Sequence, residues 1–266
     1  MRSRRVVCST IIVTLILAVV CVALPAMAQN TLETIKSRGT LLGGVKNDTP
    51  PFGFIDSNNQ VAGFDVDLVR EIAKALGVKV EFVKVTSPTR IPMLVSGNVD
   101  LVAASMTITP DREKTIDFSI VYYTGAQTLA VPTNSPITGV KDLDGKTVAV
   151  QQGTTLEKNL ATLAPGAKIL PFRDYTSAWL ALRQGRADAF TGSYDIMRGF
   201  IKNTPGFKTV GERFSVEPFG IGIRKGETTL RDAVNNSLRD LWTSKKYHEL
   251  YHKWFEVEPD VPIPMK

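Results

Sequence analysis

The sequence predicts a two-lobed α/β protein in which each lobe is a mainly parallel sheet flanked by helices. Strand and helix patterns alternate through the first third of the chain, and the same alternation restarts after residues 142–145. Residues 183–190 also repeat the order of helix, glycine turn and strand found in residues 95–102. Alternating β and α elements are typical of a parallel sheet covered by helices. Because both lobes follow one plan, each is expected to direct strand ends at a shared crevice, where ligands bind in open α/β sheets.

The first 28 residues predict a cleaved secretory signal. Three arginines near the N-terminus precede an apolar stretch from Ile11 to Leu24, and small residues close the segment at Ala28. This order is typical of a secretory signal, so the mature chain is expected to begin at Gln29 and to be periplasmic. An uncleaved membrane anchor is the alternative, because the apolar stretch extends back to Val6 and approaches the roughly 20 residues that span a bilayer.

Cysteine content and charge exclude several functions for the mature chain. Cys8 and Cys21 both lie in the predicted signal, which leaves no disulfide, thiol nucleophile or cysteine metal site. A lipid anchor on Cys21 is not expected, since bulky valines precede it. Loss of three arginines and no acid lowers the formal charge from +6 to +3, which is not the balance of a nucleic-acid-binding protein. The remaining residues, about 238, suffice for two lobes.

The first lobe is predicted from short elements separated by glycine turns. The elements are a strand at 41–45, a helix at 65–76, a strand at 78–85, a short helix at 90–96 and a strand at 99–104. The first helix carries Phe64, Leu68 and Ile72 at helical spacing, and Gly77 is suited to end it.

The second lobe and the C-terminal helices complete the pattern. A strand is predicted at 146–150, a helix from Thr154, a late strand at 220–224, and helices at 230–242 and 247–255. Aromatic residues in the last helix follow helical spacing and predict a buried face. His248 and His252 are four residues apart, but no third ligand accompanies them, so a solvated helix face is expected and no metal site.

An anion site is predicted where the strand at 99–104 ends. Thr109 is suited to cap a helix that has Pro110 at its first position, which puts Arg112 in the opening turn. A helix N-terminus attracts anions, and an arginine donates two parallel hydrogen bonds to one carboxylate. A well-capped helix with a solvated arginine is the alternative.

Four segments, taken in order, resemble a known family. They are residues 44–54, residues 63–68, residues 106–112 with 116–119, and residues 185–190. From Leu41 to Phe255 the chain resembles the solute-binding proteins of polar amino-acid ABC transporters, family 3, and among them most closely the glutamate/aspartate binders.

This resemblance implies the periplasmic-binding-protein fold, with two lobes joined by two extended crossovers near 125–129 and 216–220. Lobe 1 would comprise residues 29–125 and 219–266, and lobe 2 residues 126–218. The lobes would close over a small anionic solute and deliver it to a membrane permease of an ABC transporter. The protein is expected to act as a monomer, without a cofactor and without nucleic acid.

Ligand specificity follows from the resemblance and from charge. By resemblance, Arg112, Ser105 and Thr107 hold the α-carboxylate of the ligand. The neutral and basic amino-acid binders of the family carry an acidic residue where this chain has Lys46, whereas Lys46 and Arg90 match the aspartate/glutamate binders. Three cations facing one crevice would require about two negative charges from the ligand. Ordinary surface placement of Lys46 and Arg90 is the alternative.

The second lobe is expected to contribute a helix start and an ammonium contact. Gln152, Thr154 and Thr155 follow a strand and open a helix, so their amides are suited to a carboxylate, although Thr154 also begins a capping box. The aspartate that accepts the ligand's α-ammonium in the family aligns with Ser193. Either Asp195 takes that role or the ligand is a dicarboxylate or related organic acid without an ammonium. We prefer an acidic amino acid.

Catalysis is the main competing function. Some periplasmic dehydratases of cyclic acids resemble this chain and share the two-lobed fold. Such chemistry needs a positioned acid or base with a tuned pKa. No histidine is predicted in the cleft, no glycine-serine nucleophile elbow is present, and the cations suit binding, so no catalytic residue is assigned. A sensory domain fused to a receptor would require more chain after Phe255.

Overall fold

The computed structural model describes residues 30–202 and 204–259. The predicted signal segment, its two cysteines and the expected start at Gln29 lie outside the described residues. The α-helices are α1 (Thr31–Arg38), α2 (Phe64–Ala75), α3 (Arg90–Val95), α4 (Pro110–Glu113), α5 (Thr155–Leu163), α6 (Tyr175–Arg183), α7 (Tyr194–Ile201), α8 (Thr228–Thr243) and α9 (Lys246–Phe255). Within the described ranges, no helix has the length and apolar character needed to cross a membrane.

The strands are short. They are β1 (Thr40–Val45), β2 (Asp48–Thr49), β3 (Gly53–Ile55), β4 (Val61–Ala62), β5 (Lys79–Lys84), β6 (Leu101–Ala103), β7 (Ile116–Phe118), β8 (Tyr123–Gly125), β9 (Gln127–Pro132), β10 (Thr147–Gln151), β11 (Lys168–Phe172), β12 (Ala189–Ser193), β13 (Phe207–Val210), β14 (Glu217–Phe219) and β15 (Gly222–Arg224). The predicted helices and strands are confirmed, with ends that differ by one or two residues in most cases.

Two five-stranded sheets form the two lobes. The sheet of the first lobe has the order β5-β1-β6-β15-β7, and that of the second lobe has the order β11-β10-β12-β9-β13. In each lobe the first three strands are parallel, but β15 and β9 run antiparallel to their neighbours. In each sheet four strands thus share one direction and a single strand opposes them, so the sheets are mixed in detail and the predicted mainly parallel arrangement is confirmed.

A two-stranded ribbon runs between the lobes. Strand β14 pairs antiparallel with β8, with Glu217 opposite Gly125 and Phe219 opposite Tyr123. This ribbon lies at the segments predicted as crossovers, although β9, which begins at Gln127, already belongs to the second sheet. The lobe boundaries at 125/126 and 218/219 stay a prediction.

An aromatic cluster packs the first lobe against the ribbon. The ring of Phe52 lies 4.9 Å from that of Tyr123, 5.7 Å from that of Phe219 and 5.3 Å from that of Phe255. Phe64 begins α2 beneath them, and the conformation that allows this depends on Gly63, which has φ of +136°. A Cβ atom at Gly63 would lie 2.1 Å from the carbonyl oxygen of Phe52, so this position requires glycine.

Candidate ligand-binding cleft

A small cavity lies between the two lobes. The residues that line it are Lys46, Arg90, Ser105, Thr107, Arg112, Thr154, Thr155, Leu156, Tyr175, Ser193, Ile196, Glu217 and Phe219. Lys46 follows β1 and Ser105 follows β6, while Thr154 follows β10 and Ser193 ends β12. Since these strands are parallel within each lobe, their carboxyl ends meet at one edge, and the two edges face each other. The cavity contains most of the candidate site residues, but not Gln152 or Asp195.

The guanidinium of Arg112 connects the two lobes. The Thr109 hydroxyl accepts a hydrogen bond from the Arg112 amide at 3.3 Å, so the predicted helix cap forms at α4. Nη1 of Arg112 donates to the carbonyl oxygen of Thr107 at 2.6 Å, and Nη2 donates to that of Gly153 at 3.2 Å. Burial lowers the pKa of Arg112, and the nearby Glu217 raises it in part. The guanidinium is thus held by two neutral carbonyl acceptors. A ligand carboxylate would be a stronger acceptor for it than either carbonyl.

A buried aspartate fixes the loop that carries Ser105. Ser105 has φ of +46°, which is unusual for a residue with a side chain. Its amide donates to Oδ2 of Asp65 at 2.8 Å, and the Tyr122 hydroxyl donates to Oδ1 at 2.8 Å. Burial raises the pKa of Asp65 to about 6, against the opposing effect of these hydrogen bonds. A backbone held in this conformation by a charged partner is typical of a functional loop.

Lys46 is buried and bonded to the opposite lobe. Its Nζ donates to Oε1 of Gln151 at 2.9 Å, and the Ser87 hydroxyl donates to the same oxygen at 2.9 Å. Nζ also lies 4.7 Å from the centre of the Tyr175 ring. Burial, and then the charge of Arg90, lower the pKa of Lys46 to about 7. An anion in the cleft would favour the charged form.

Arg90 is a second buried cation, with 2% of its surface exposed. Its Nη1 donates to the carbonyl oxygen of Ala104 at 2.7 Å. Its buried Nε has no hydrogen-bond partner in the part of the chain that the structure describes. Burial, followed by repulsion from Arg112, lowers the pKa of Arg90 to about 9. The surface placement considered for Lys46 and Arg90 is excluded.

Glu217 is the carboxylate that the sequence patterns miss. It is 2% exposed, and its Oε2 accepts hydrogen bonds from the hydroxyls of Thr107 at 2.7 Å and Thr155 at 2.6 Å. Its Oε1 accepts from the Asn159 amide at 3.0 Å. Together with Asp65, Glu217 offsets two of the three cationic charges. The expectation that the ligand brings about two negative charges took no account of these two carboxylates.

Two candidate residues of the second lobe lie away from the cavity. Asp195 sits in the first turn of α7, where it accepts a hydrogen bond from the Tyr123 hydroxyl and lines a different cavity beside Trp254. The side chain therefore takes no part in the cleft, contrary to the expected ammonium contact. The amide of Gln152 donates to the carbonyl oxygen of Phe172 at 2.9 Å, which satisfies the group that a carboxylate would have used.

The start of α5 and the unpartnered Ser193 complete the second lobe's side of the cavity. The Thr154 hydroxyl accepts a hydrogen bond from the Glu157 amide at 3.4 Å, as the capping box predicts. In a capping box the Glu157 carboxylate would accept from the Thr154 amide, but here it accepts from the Gly153 amide at 3.1 Å. Oγ of Ser193 is buried without a hydrogen-bond partner among residues 30–202 and 204–259. The hydroxyl is thus available to a ligand in the cavity.

The histidine pair belongs to the C-terminal helix rather than to the cleft. The His248 ring lies 4.5 Å from the Trp242 ring, so it packs on α8. In the described ranges, no group of three or more His, Cys, Asp and Glu side chains is arranged to hold a metal ion.

Comparison with known proteins identifies a family over most of the chain. The profile of the bacterial extracellular solute-binding proteins, family 3, matches residues 41–257. The ABC transporter glutamine-binding protein GlnH of Bacillus subtilis is 39% identical over 236 residues, covering 87% of this chain and 86% of its own. The glutamine-binding protein of Geobacillus stearothermophilus is 42% identical over 213 residues, covering 78% and 81%.

A glutamate/aspartate binder is also similar, at lower identity. The L-glutamate/L-aspartate-binding protein of Pseudomonas aeruginosa is 30% identical over 252 residues, covering 89% of this chain and 82% of its own. Overall identity therefore does not support the expectation that the glutamate/aspartate branch resembles this chain most closely.

Solved structures share the fold at similar identity. An ancestral arginine-binding protein bound to glutamine matches with a TM-score of 0.80 and 42% identity, over 83% of this chain and 99% of its own. The ancestral amino acid-binding protein AncCDT-1, a precursor of cyclohexadienyl dehydratase, matches with a TM-score of 0.81 and 41% identity, over 85% and 99%. The two-lobed fold is thus shared with proteins that bind amino acids.

Proposed function

The chain belongs to the bacterial extracellular solute-binding proteins, family 3, and on this basis we propose that it captures an acidic α-amino acid, L-glutamate or L-aspartate, for import. Capture takes place outside the cytoplasmic membrane, in the cleft between the lobes of a monomer. The loaded protein delivers its ligand to the permease of an ABC transporter. The observation that carries the proposed specificity is the excess of cationic groups in the cleft.

Charge in the cleft favours a ligand with one net negative charge. Lys46, Arg90 and Arg112 supply three cations, and Glu217 and Asp65 supply two anions. An acidic amino acid carries a net charge of about −1 at neutral pH and would leave the cleft neutral. A neutral amino acid would leave one uncompensated buried cation, and a basic one would add a second, which is costly when the lobes exclude water.

The cations are arranged in two groups that suit two carboxylates. Arg112 lies at the start of α4 beside Thr107, where it is suited to the α-carboxylate. Lys46 and Arg90 influence each other's charge and lie deeper, where they are suited to the carboxylate of the ligand's side chain. The free Nε of Arg90 is a donor that such a carboxylate would satisfy.

Lobe closure is the proposed means of capture. Arg112 bonds to Gly153 and Lys46 bonds to Gln151, so both contacts cross between lobes. When the lobes separate, these donors become free for the ligand's carboxylates, which form stronger charge-assisted bonds. Closure then buries the ligand between both lobes, and this differential contact shifts the population toward the closed form.

Glutamine is the second candidate ligand. Two relatives named as glutamine-binding proteins are 39% and 42% identical to this chain. Because the pKa of Lys46 is about 7, this group is readily neutral and would then tolerate a ligand amide in place of a carboxylate. With Lys46 neutral, Asp65 and Glu217 balance Arg90 and Arg112, so the preference for the acidic ligand depends on the charged form of Lys46, which a ligand carboxylate favours.

Binding without catalysis is part of the proposal. The relatives named above are transport proteins or amino-acid binders, and AncCDT-1 is an amino acid-binding precursor of cyclohexadienyl dehydratase. The carboxylates beside the cleft are already committed to hydrogen bonds, Asp65 to Ser105 and Tyr122, and Glu217 to two threonines. They are therefore arranged to hold charge in place rather than to transfer a proton.

A ligand screen tests this proposal. The mature chain from Gln29 is heated with L-glutamate, L-aspartate, L-glutamine, L-arginine, succinate and 2-oxoglutarate, and calorimetry follows for each ligand that stabilises it. A ligand at 100 times its Kd adds about 2.7 kcal/mol of stability, which is readily measured. We expect L-glutamate or L-aspartate to stabilise most. Stabilisation by glutamine alone would favour the second candidate, and stabilisation by the dicarboxylates alone would indicate an organic-acid binder.

A further inference from the structure

Glu217 lies in the cleft, but the proposed contacts to the ligand's carboxylates do not involve it. It belongs to β14 of the ribbon between the lobes, and its carboxylate lines the cavity. Its hydrogen bonds come from both sides, from Thr107 in the first lobe and from Thr155 and Asn159 in the second. A buried carboxylate among loops that carry cationic side chains is expected to neutralise a positive charge.

Other acidic groups are less suited to a cation of the ligand. Asp195 is bonded to Tyr123 and lines another cavity, and Ser193 carries no charge. Asp65 accepts hydrogen bonds from Ser105 and Tyr122 at both of its oxygens and does not line the cavity. Of the acidic residues in the described ranges, Glu217 is the one that lines the cavity.

The positions of Glu217 and Arg112 match the charges of an α-amino acid. Nη1 of Arg112 bonds to the carbonyl oxygen of Thr107, and Oε2 of Glu217 bonds to the hydroxyl of the same residue. The two opposite charges therefore flank one residue, an arrangement that suits a ligand carrying a carboxylate and an ammonium on neighbouring atoms. Oε1 of Glu217 accepts from Asn159, and a carboxylate oxygen has room for a second hydrogen bond.

We propose that Glu217 accepts the α-ammonium of the ligand, beside Arg112, which holds the α-carboxylate. This inference rests on the proposed function, since it requires the ligand to be an amino acid. Glu217 would then select amino acids over dicarboxylates of the same length, which lack the ammonium. Because Glu217 pairs with Gly125 in the ribbon, the ammonium contact would also tie the ligand to the connection between the lobes.

The test compares Glu217→Gln with the unaltered protein. Calorimetry measures L-glutamate, L-glutamine and glutarate, which is L-glutamate without its amino group. Removing the charged partner of a buried ammonium should weaken both amino acids by about 30-fold or more. Glutarate should bind unchanged or more tightly, because a nearby negative charge has been removed. Asp195→Asn is the matched control, and it should leave all three affinities within about threefold.

Distinct outcomes separate the possible failures. If amino-acid affinity in Glu217→Gln stays within about threefold of the unaltered protein, the ammonium assignment is overturned. If all three ligands weaken equally, Glu217 merely braces the lobes, and the assignment is also overturned. If the unaltered protein prefers L-glutamine to L-glutamate, the proposed specificity fails while the Glu217 comparison still applies to L-glutamine. If the unaltered protein binds glutarate and no amino acid, both proposals fail.

A second measurement covers a variant that does not fold. A crystal structure of the unaltered protein with L-glutamate should put the ammonium nitrogen about 3 Å from a carboxylate oxygen of Glu217. An ammonium held by Ser193 and backbone carbonyls, away from Glu217, would contradict the assignment.

Discussion

The ammonium of Lys46 donates a hydrogen bond of 2.9 Å to the side-chain oxygen of Gln151, so a buried cation of one lobe is held by a neutral amide of the other. A neutral acceptor compensates a buried charge only in part, which is consistent with the lowered pKa of Lys46. A ligand carboxylate at the same position would compensate it more fully. This pair therefore links closure of the lobes to the charge of the ligand.

Stability should depend on pH through Lys46. Its pKa is about 7 in the folded protein and 10.5 ordinarily, so between these values the unfolded chain retains a proton that the folded protein has released. The free energy of unfolding therefore rises with pH over this window, and below pH 7 the buried charge is destabilising. Lys46→Met should raise the Tm by roughly 5 °C at pH 6. The gain should shrink toward pH 9.

Thermal unfolding at several pH values checks this prediction. Lys84→Met is a suitable control because Lys84 is an exposed lysine at the end of β5. The control should change the Tm by about the same small amount at every pH. A Lys46→Met profile that runs parallel to that of the unaltered protein would show that burial of Lys46 costs nothing.

Binding of an acidic ligand should take up protons at pH 8. Above pH 7, Lys46 is largely neutral in the free protein, because burial, and then the charge of Arg90, lower its pKa more than Asp48 and Asp65 raise it. A ligand carboxylate favours the charged ammonium and raises its pKa, so L-glutamate should bind with uptake of about 0.5 to 1 proton. Calorimetry in buffers of different ionisation enthalpy measures this number. L-glutamine is the control, and equal uptake for both ligands would exclude Lys46 as the carboxylate partner.

Arg112 should be essential for binding and dispensable for folding. Its side-chain bonds are to carbonyl oxygens that the cleft exposes in part, so Arg112→Ala should change the Tm by only a few degrees. Loss of the partner of a buried carboxylate should weaken every ligand of the cleft by about 100-fold or more. Arg112→Lys, which keeps the charge but not the paired donors, should retain part of the affinity. Calorimetry that finds the affinity of Arg112→Ala unchanged would refute the α-carboxylate assignment.

Arg90 should distinguish ligands with two carboxylates from those with one. Arg90→Gln keeps a donor for the carbonyl oxygen of Ala104 while removing the charge. L-glutamate should lose about tenfold or more in affinity, and L-glutamine should lose less than about threefold. The two affinities are measured side by side in the variant and in the unaltered protein. Equal losses would mean that Arg90 supports the cleft without reading the ligand's side chain.

Local sequence patterns predict the fold and the first lobe's side of the cleft. The cap formed by Thr109 and the position of Arg112 depend on four consecutive residues, so they follow from short-range rules. The strand ends that carry Lys46 and Ser105 follow from hydrophobic patterning in the same way. The mixed character of the sheets could not be predicted so directly, because β15 joins the first sheet from more than 100 residues away.

The acidic side of the cleft depends on contacts that no local pattern reveals. Glu217 meets Thr107 across 110 positions of sequence, and Asp65 meets Ser105 across 40. Ser193 and Asp195 show that closeness in sequence can also mislead, because Ser193 lines the cleft and Asp195 lines a different cavity. β12 ends at Ser193 and α7 begins at Tyr194, so the chain turns between them and carries Asp195 to the other cavity.

The ratio of the affinities for L-glutamine and L-glutamate, measured by calorimetry on the unaltered protein at pH 6.5, tests the proposed specificity most directly. At this pH most of Lys46 is charged, and Arg90 and Arg112 are charged as well. We expect L-glutamate to bind at least about tenfold more tightly than L-glutamine, since only glutamate brings the charge that the cleft lacks. Equal affinities, or tighter binding of L-glutamine, would contradict capture of an acidic amino acid.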